Sequence, residues 1–279
     1  MAVRIVTDST CDLAPEVIGA HRITVVPLYV NFGAQSLLDG VELTRKDFYD
    51  RLQADKTPPT TSAPGIDAFV RIYERLIEEG GSGVLSVHIA GSVSNTVNVA
   101  RLAAESRPDL PVRVVDSGQI TLGVGLLVLP AARAAEGGAT LEALRELVEA
   151  RGERTHAFAA LDTLEFLRRS GRVSGLVSGL GTLLQLKPLI KMHRGTMGLE
   201  RVRTRQGAFN KLLELAQALG PLEELALVHT RAVDRVAELG RAMAERIPAG
   251  ATPLVGEVTP VIGAHVGPGA IGLVCVQRG

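Results

Sequence analysis

Four clusters of hydroxyl and carboxyl side chains stand near the ends of β-like runs: Asp8-Ser9-Thr10, Thr60-Thr61-Ser62, Ser92 with Ser94, Asn95 and Thr96, and Asp116-Ser117. In a parallel α/β sheet the loops that follow the strands share one edge, so such donors can converge on one small anionic group. Each cluster is an equally good helix cap or turn, because Ser, Thr and Asp satisfy orphan backbone N–H groups. The residues leave both readings open. His265 lies in PVIGAHVGPGAIG, read as a Gly/Pro-rich turn between two strands that aims the ring outward. A lone histidine of this kind is more often a hydrogen-bonded structural residue than a catalyst. Between Arg168 and Arg205 nine Arg and Lys side chains face a single acid, Glu200. That stretch suits phosphate chemistry or an acidic partner, and equally a solvated basic face.

The elements that must position these groups follow an α/β grammar in the first half. Strands are predicted over Arg4–Asp8, Thr24–Val30, Gly83–Ile89 and Val112–Val115. Helices are predicted over 45–54, 66–79, 95–106, 122–135 and 141–151, and Lys56–Gly65, with its three prolines, reads as an extended loop. This alternation favours a parallel sheet with helices on both faces. A charged stretch at Arg151–Thr155 marks a boundary, dividing the chain into 1–153 and 154–279. The second part reads as α+β with a mixed or antiparallel sheet: a strand at 157–160, a helix at 161–170, a hairpin over 187–202 turning at Arg194-Gly195, helices at 208–219 and 233–247, and strands at 225–229, 255–258 and 270–276. Two uncharged, small-residue segments, Ser117–Ala132 and Val173–Leu186, could line a narrow tunnel or simply be buried helices packed through their glycines.

Composition narrows the function. The 279 residues are 46% hydrophobic and 22% charged, which excludes disorder. Thirty basic residues balance thirty acidic ones, so no global field draws the chain to nucleic acid or anionic membrane. Aromatic residues make up 3% with no Trp, which argues against stacked-base and sugar recognition. Cys11 and Cys275 lack the spacing of a zinc site, and a reducing cytoplasm is expected. Met1–Val6 reads as a first strand rather than a signal peptide. The longest uncharged stretch falls short of the roughly 20 residues of a membrane helix, so no integral membrane segment is expected.

Familiar nucleotide and hydrolase signatures are absent from the sequence. Gly123-Val-Gly125 lacks a third glycine and does not follow a strand. Neither Gly-x-x-x-x-Gly-Lys nor Gly-x-Ser-x-Gly occurs. Asp8 and Asp12 flank Ser9-Thr10-Cys11 after the first strand, and together with the basic stretch they are what would support a stand-alone phosphotransferase or metal-dependent phosphatase acting on a small anionic substrate.

The chain resembles, over nearly its whole length, the DegV family of bacterial fatty-acid-binding proteins, which includes the fatty-acid-binding subunit of fatty acid kinase. The resemblance rests on Asp8-Ser9-Thr10-x-Asp12-Leu13, Thr61-Ser62-Ala63-Pro64, Ser94-Asn95-Thr96, Val115-Asp116-Ser117, Leu161-Asp162-Thr163-Leu164-x-x-Leu167, Gly171-Arg172-Val173-Ser174, Lys187-Pro188-Leu189-Ile190, Val202-Arg203-Thr204-Arg205 and Gly263-Ala264-His265-Val266-Gly267-Pro268-Gly269. It implies two α/β domains with a long-chain fatty acid between them, and a carboxylate held by Thr61, Ser62 and Ser94. It further implies that Arg172 and His265 support phosphorylation of that carboxylate by a separate ATP-dependent kinase, with this chain presenting the substrate rather than acting as an enzyme, and with no cofactor. The sequence departs from the family pattern at Ala63, where Gln is usual, and around Ser94, where Ala90-Gly91 precede and Asn95 follows.

Overall fold

The computed structural model describes residues 2–54, 57–171 and 187–279. Strands β1 (Arg4–Asp8), β2 (Thr24–Val26), β6 (Val84–His88) and β7 (Val112–Asp116) form an all-parallel sheet in the order β2-β1-β6-β7. Helices cover both faces, as expected of buried parallel strands. On one side α3 (Ile66–Glu78) and α4 (Thr96–Ser106) bury Phe69, Tyr73, Leu76, Ala100 and Ala103 against Val6, Val26 and Val84. On the other lie α5 (Leu122–Glu136) and α6 (Leu141–Gly152).

The second sheet contains β8 (Thr155–Ala160), β9 (Lys187–His193), β10 (Thr196–Val202), β11 (Leu222–His229), β12 (Leu254–Glu257) and β13 (Ile271–Gln277), in the order β10-β9-β8-β13-β11-β12. It is mixed, since only β11 and β12 run parallel. Helices α8 (Arg205–Ala218) and α9 (Val233–Ala242) seal one face. Helix α5 packs between the two sheets, touching β1 and β6 of the first and β8, β11 and β13 of the second. A Cβ at Gly125 would stand 2.6 Å from the Cys11 carbonyl oxygen, so only glycine permits this close approach. Most of Ser117–Ala132 is therefore a buried helix rather than a tunnel wall. The hairpin β9–β10 turns at Arg194-Gly195 as predicted, and Gly195 N donates to Gly118 O at 2.9 Å, tying its tip to the loop after β7.

Several elements differ from the sequence reading. The single strand expected over Thr24–Val30 is interrupted around Pro27, which has no N–H to give a ladder. Beyond it, β3 (Tyr29–Phe32) joins a separate antiparallel sheet with β4 (Gln35–Leu38) and β5 (Thr60–Ser62). Lys56–Gly65 therefore contains a short strand rather than loop throughout. Helix α2 (Arg45–Ala54) follows β4, and α1 (Pro15–Ala20) fills the β1–β2 connection. In the second half α7 is only Glu165–Ser170, and α9 gives way at Ala242 to a 3-10 turn over Ala244–Arg246.

A fully buried polar chain fastens the C-terminal ends of β1 and β6. The Tyr73 hydroxyl donates to Ser86 Oγ at 2.9 Å, Ser86 Oγ lies 2.7 Å from His88 Nε2, and His88 Nδ1 lies 3.0 Å from Asp8 Oδ2. Asp8 also accepts from the Ile89 and Thr10 amides, each at 3.0 Å. Burial opposes its charge, but the His88 contact, the Thr10 hydroxyl and the Ile89 N–H outweigh it and hold the carboxyl below its ordinary value. The start of the loop that carries Ser94 is thereby fixed.

Candidate functional site

Thr61 owes its direction to strand periodicity. On β5 it pairs with Val30, while its neighbours Thr60 and Ser62 turn to the opposite face, where Asn31 Nδ2 approaches their hydroxyls at 3.5 and 3.4 Å. Thr61 Oγ1 instead meets His265 Nε2 at 2.9 Å.

His265 does not sit in an outward turn. Pro260 opens a short helix, α10 (Pro260–Val266), with Thr259 before it in an extended conformation, and His265 lies in the last turn, half-buried. Gly267, at φ 72°, ends the helix, and a Cβ there would fall 2.2 Å from the Phe166 ring. The glycines around His265 thus stop the helix and admit a packed aromatic ring, which turns the imidazole inward.

Ser94 stands at the start of α4, where its Oγ lies 2.8 Å from Thr96 Oγ1 and accepts from Thr96 N at 3.3 Å. The loop before it is pinned by Gly91 N donating to Asp116 Oδ2 at 3.1 Å and Ala90 N to Gln119 O at 2.9 Å. A Cβ at residue 91 would meet that carboxylate at 2.8 Å, which explains the glycine there.

Thr61, Ser62, Ser94, Asn95 and His265 border one cleft of about 240 Å³, far more than the ~10–15 Å³ that a water needs. Its other walls are mainly apolar, including Ile89 and Ile120 from the first sheet's loops, Ile190 and Met197 from β9 and β10, Leu167 from α7, and Ile262 and Val266 from α10. The cleft is polarised along its length. Thr61 and His265 also border a second recess of mixed lining, with Pro58, Pro59, Phe166, Arg169 and Ser170. Ile120, Ile190, Ile262 and Val266 also border a small compartment lined largely by apolar side chains such as Ala159, Leu161 and Val228.

The predicted convergence holds for two of the four hydroxyl clusters. Ser9 Oγ accepts from Leu28 N at 3.2 Å, Thr10 donates to Asp8, and Ser117 Oγ accepts from Gln119 N at 3.1 Å, so these residues stabilise backbone. Arg172 and Val173–Leu186 lie outside the described residues. Five of the eight described basic residues of the stretch are engaged in ion pairs. Arg169 pairs with Glu165, Lys187 and Arg205 with Asp162, Lys191 with Glu200, and Arg194 with Glu153.

Asp8 and Asp12 do not form a catalytic pair. Both are buried, Asp8 is occupied by His88, and burial pushes Asp12 up to about 7. Among the described residues no group of three or more His, Cys, Asp or Glu is placed to hold a metal ion. No described helix is long and apolar enough to cross a membrane. The apolar walls from α7, β9 and β10 were not singled out in the sequence. Ile190 follows Leu189, buried on the opposite face of β9, and an apolar run in a doubly buried strand does not reveal which side chain faces a cavity.

Residues 2–278 match the family model described as "Uncharacterised protein, DegV family". The chain belongs to the DegV family. A DegV domain-containing protein of Streptomyces coelicolor is 39% identical over 279 residues, spanning 99% of each chain. One from Mycobacterium tuberculosis is 38% identical, spanning 100% of this chain and 98% of the relative. Among solved structures, a Thermus thermophilus DegV family protein described by its fatty acid binding superposes with a TM-score of 0.90 at 35% identity, covering all of both chains. The Bacillus subtilis DegV, described as a fatty acid binding protein, gives a TM-score of 0.88 at 28% identity, covering 99% of this chain and 100% of its own. The two-sheet α/β architecture is thus that of DegV proteins.

Proposed function

We propose that this DegV protein binds a long-chain fatty acid in the cleft, with its carboxylate at Thr61 and Ser94 and beside Ser62, whose hydroxyl turns toward Asn31, and presents that carboxylate to a separate ATP-dependent kinase. The observation that carries the reading is the polarity of the cleft: hydroxyls and an imidazole next to the recess of Arg169 and Ser170 at one end, an apolar compartment at the other. An amphiphile with one anionic head and a long chain matches that gradient. Each buried methylene contributes about 0.8 kcal/mol, so the chain supplies affinity while neutral donors orient the head. Neutral donors leave a carboxylate oxygen able to attack a phosphoryl group, which a tight ion pair would not. His265, through Thr61, stands at the boundary between the cleft and that recess, in keeping with a role in that transfer. Arg172 has a guanidinium suited to the charge of a developing acyl phosphate. The absence of a nucleotide-binding loop from the sequence supports a carrier that relies on another protein for ATP. We take the two larger sheets as two units, 1–153 and 154–279, holding the ligand between them.

Native mass spectrometry of the purified protein, followed by denaturation and lipid identification, tests the binding reading. A stoichiometric long-chain fatty acid is expected. A protein that is empty and also refuses added oleate refutes it. Adding ATP and a fatty acid kinase tests presentation: acyl phosphate should form only with both proteins, and Arg172→Ala should lower its formation by a larger factor than it lowers binding. Turnover by this chain alone would overturn the carrier reading.

A further inference from the structure

Two further carboxylates reach the base of α10 from the other side of the molecule. Asp12, at φ 54° after the 3-10 turn Ser9–Cys11, is fully enclosed; its Oδ1 accepts from Thr259 N at 2.9 Å, while Oδ2 has no hydrogen-bond partner. Asp39, between β4 and α2, is 2% exposed, and neither of its oxygens makes a hydrogen bond of normal length. The Ser9 hydroxyl and the Val261 amide nevertheless lie close enough to favour its charged form. Pro260 has no N–H, so the Thr259 amide just before it is the first donor at the start of this helix.

We propose that Asp12 is a positioning residue for the cleft: by holding the Thr259 amide it fixes the start of α10 and so sets His265 against Thr61, with Asp39 buried beside it. The inference builds on the fatty-acid reading of that cleft. Val261, Ile262, His265 and Val266 all line the cleft from this one helix, so a shift at its base moves a whole wall.

The surroundings also make the anchor sensitive to protons. Arg45, at the head of α2, approaches Asp12 Oδ1 at 3.9 Å, and its buried Nε has no partner. Asp8 and Cys11 face the pair from the β1 side, Tyr49 from α2, and Glu257 from the end of β12. Tyr49 is engaged with Val258 O at 3.0 Å. One distant arginine does not offset two buried carboxylates, and burial above all pushes each up to about 7. Their unfolded value is the ordinary 3.8, so between these limits the folded chain binds more protons than the unfolded one. The anchor is therefore firmest on the acid side, weakens as pH rises toward about 7, and weakens no further above it.

The test compares the wild-type protein with Asp12→Gly, Asp12→Asn and Asp39→Asn, from about pH 5.5 to 8.5. Gly removes the acceptor, Asn keeps an acceptor oxygen that cannot charge, and both tolerate the left-handed backbone of residue 12. Amide-exchange protection at Thr259 is read in the ligand-free protein, and oleate affinity alongside. Asp12→Gly is expected to lose protection at Thr259 and oleate affinity by about tenfold each. Asp12→Asn should restore both, and in each Asn variant the decline of protection with pH should be flatter than in wild type. Full protection in Asp12→Gly, or identical pH profiles in wild type and both Asn variants, overturns the proposal. If Asp12→Gly does not fold, the Asn profiles decide alone. If wild type takes up no oleate at any pH, the fatty-acid reading falls, and the exchange data still judge the anchor.

Discussion

Replacing Thr61 by Val tests the head-group reading most directly, because it deletes one hydroxyl and little else. Both side chains are β-branched and suit a strand, and the backbone pairing of residue 61 with Val30 does not involve the hydroxyl. The lost group touches His265 Nε2 at 2.9 Å and borders the cleft. A hydroxyl offers one donor and two acceptor positions, so it can donate to a ligand carboxylate while accepting from the imidazole. A hydrogen bond to a charged group contributes about 1.5–3 kcal/mol, so oleate binding should weaken roughly 10- to 150-fold. Oleyl alcohol, with the same chain and a neutral head, loses only about 0.5–1.5 kcal/mol, or roughly 2- to 12-fold. Displacement of a fluorescent fatty acid by each ligand measures both. Equal weakening of acid and alcohol, or unchanged oleate affinity, would refute the assignment of Thr61 to the carboxylate.

Three other perturbations probe the frame around the site. Gly267→Ala drives a methyl group into the Phe166 ring at a positive φ and should cost about 3 kcal/mol or more in urea unfolding; a loss below about 1 kcal/mol contradicts the packing. His88→Leu takes one hydrogen-bond partner from the buried Asp8 carboxylate, which keeps the Thr10 and Ile89 donors, and should cost about 1.5–3 kcal/mol near neutral pH. Asp8 is held below its ordinary value in the native protein, so its contribution disappears as pH falls through the acid range. The gap between His88→Leu and wild type should narrow accordingly, and a gap that stays constant in acid would contradict this account of Asp8. Ile120→Trp should block the passage to the inner compartment; excluding about three methylenes costs about 2.4 kcal/mol, or roughly 50-fold for a long acid, with short acids spared. Equal losses for long and short acids would place the chain elsewhere.

The sequence announced the strand–helix alternation and the β9–β10 hairpin, because these depend on local pattern, whereas only the family resemblance assigns Thr61, Ser94 and His265 to a site, their residue types alone fitting caps and structural turns equally well. It hid what depends on distant partners. Thr60–Ser62 reads as loop from its prolines and hydroxyls, and becomes a strand only because β3 offers it an edge. His265 reads as an outward turn because its glycines and proline dominate the local signal, whereas Asp12 and Phe166 make the segment a helix. The hydroxyls of Ser9, Thr10 and Ser117 resemble ligand donors in composition, and only their partners, backbone amides for Ser9 and Ser117 and the Asp8 carboxylate for Thr10, reveal them as braces. The apolar walls of the cleft come from both sheets, and no single segment carries the pattern of a pocket.

The chain Ser86, His88 and Asp8 satisfies the spacing of a nucleophile, a general base and its orienting acid, with contacts of 2.7 and 3.0 Å. All three side chains have no solvent exposure, and the Tyr73 hydroxyl occupies the serine from the other side. A scissile bond would have to pass through the helices packed on the sheet to reach the oxygen. Matching a hydrolase template by interatomic distance would flag this trio, yet the same distances here serve as masonry. Reactivity requires a route for the reactant as well as an arrangement of groups, and in this molecule the arrangement and the route are in different places.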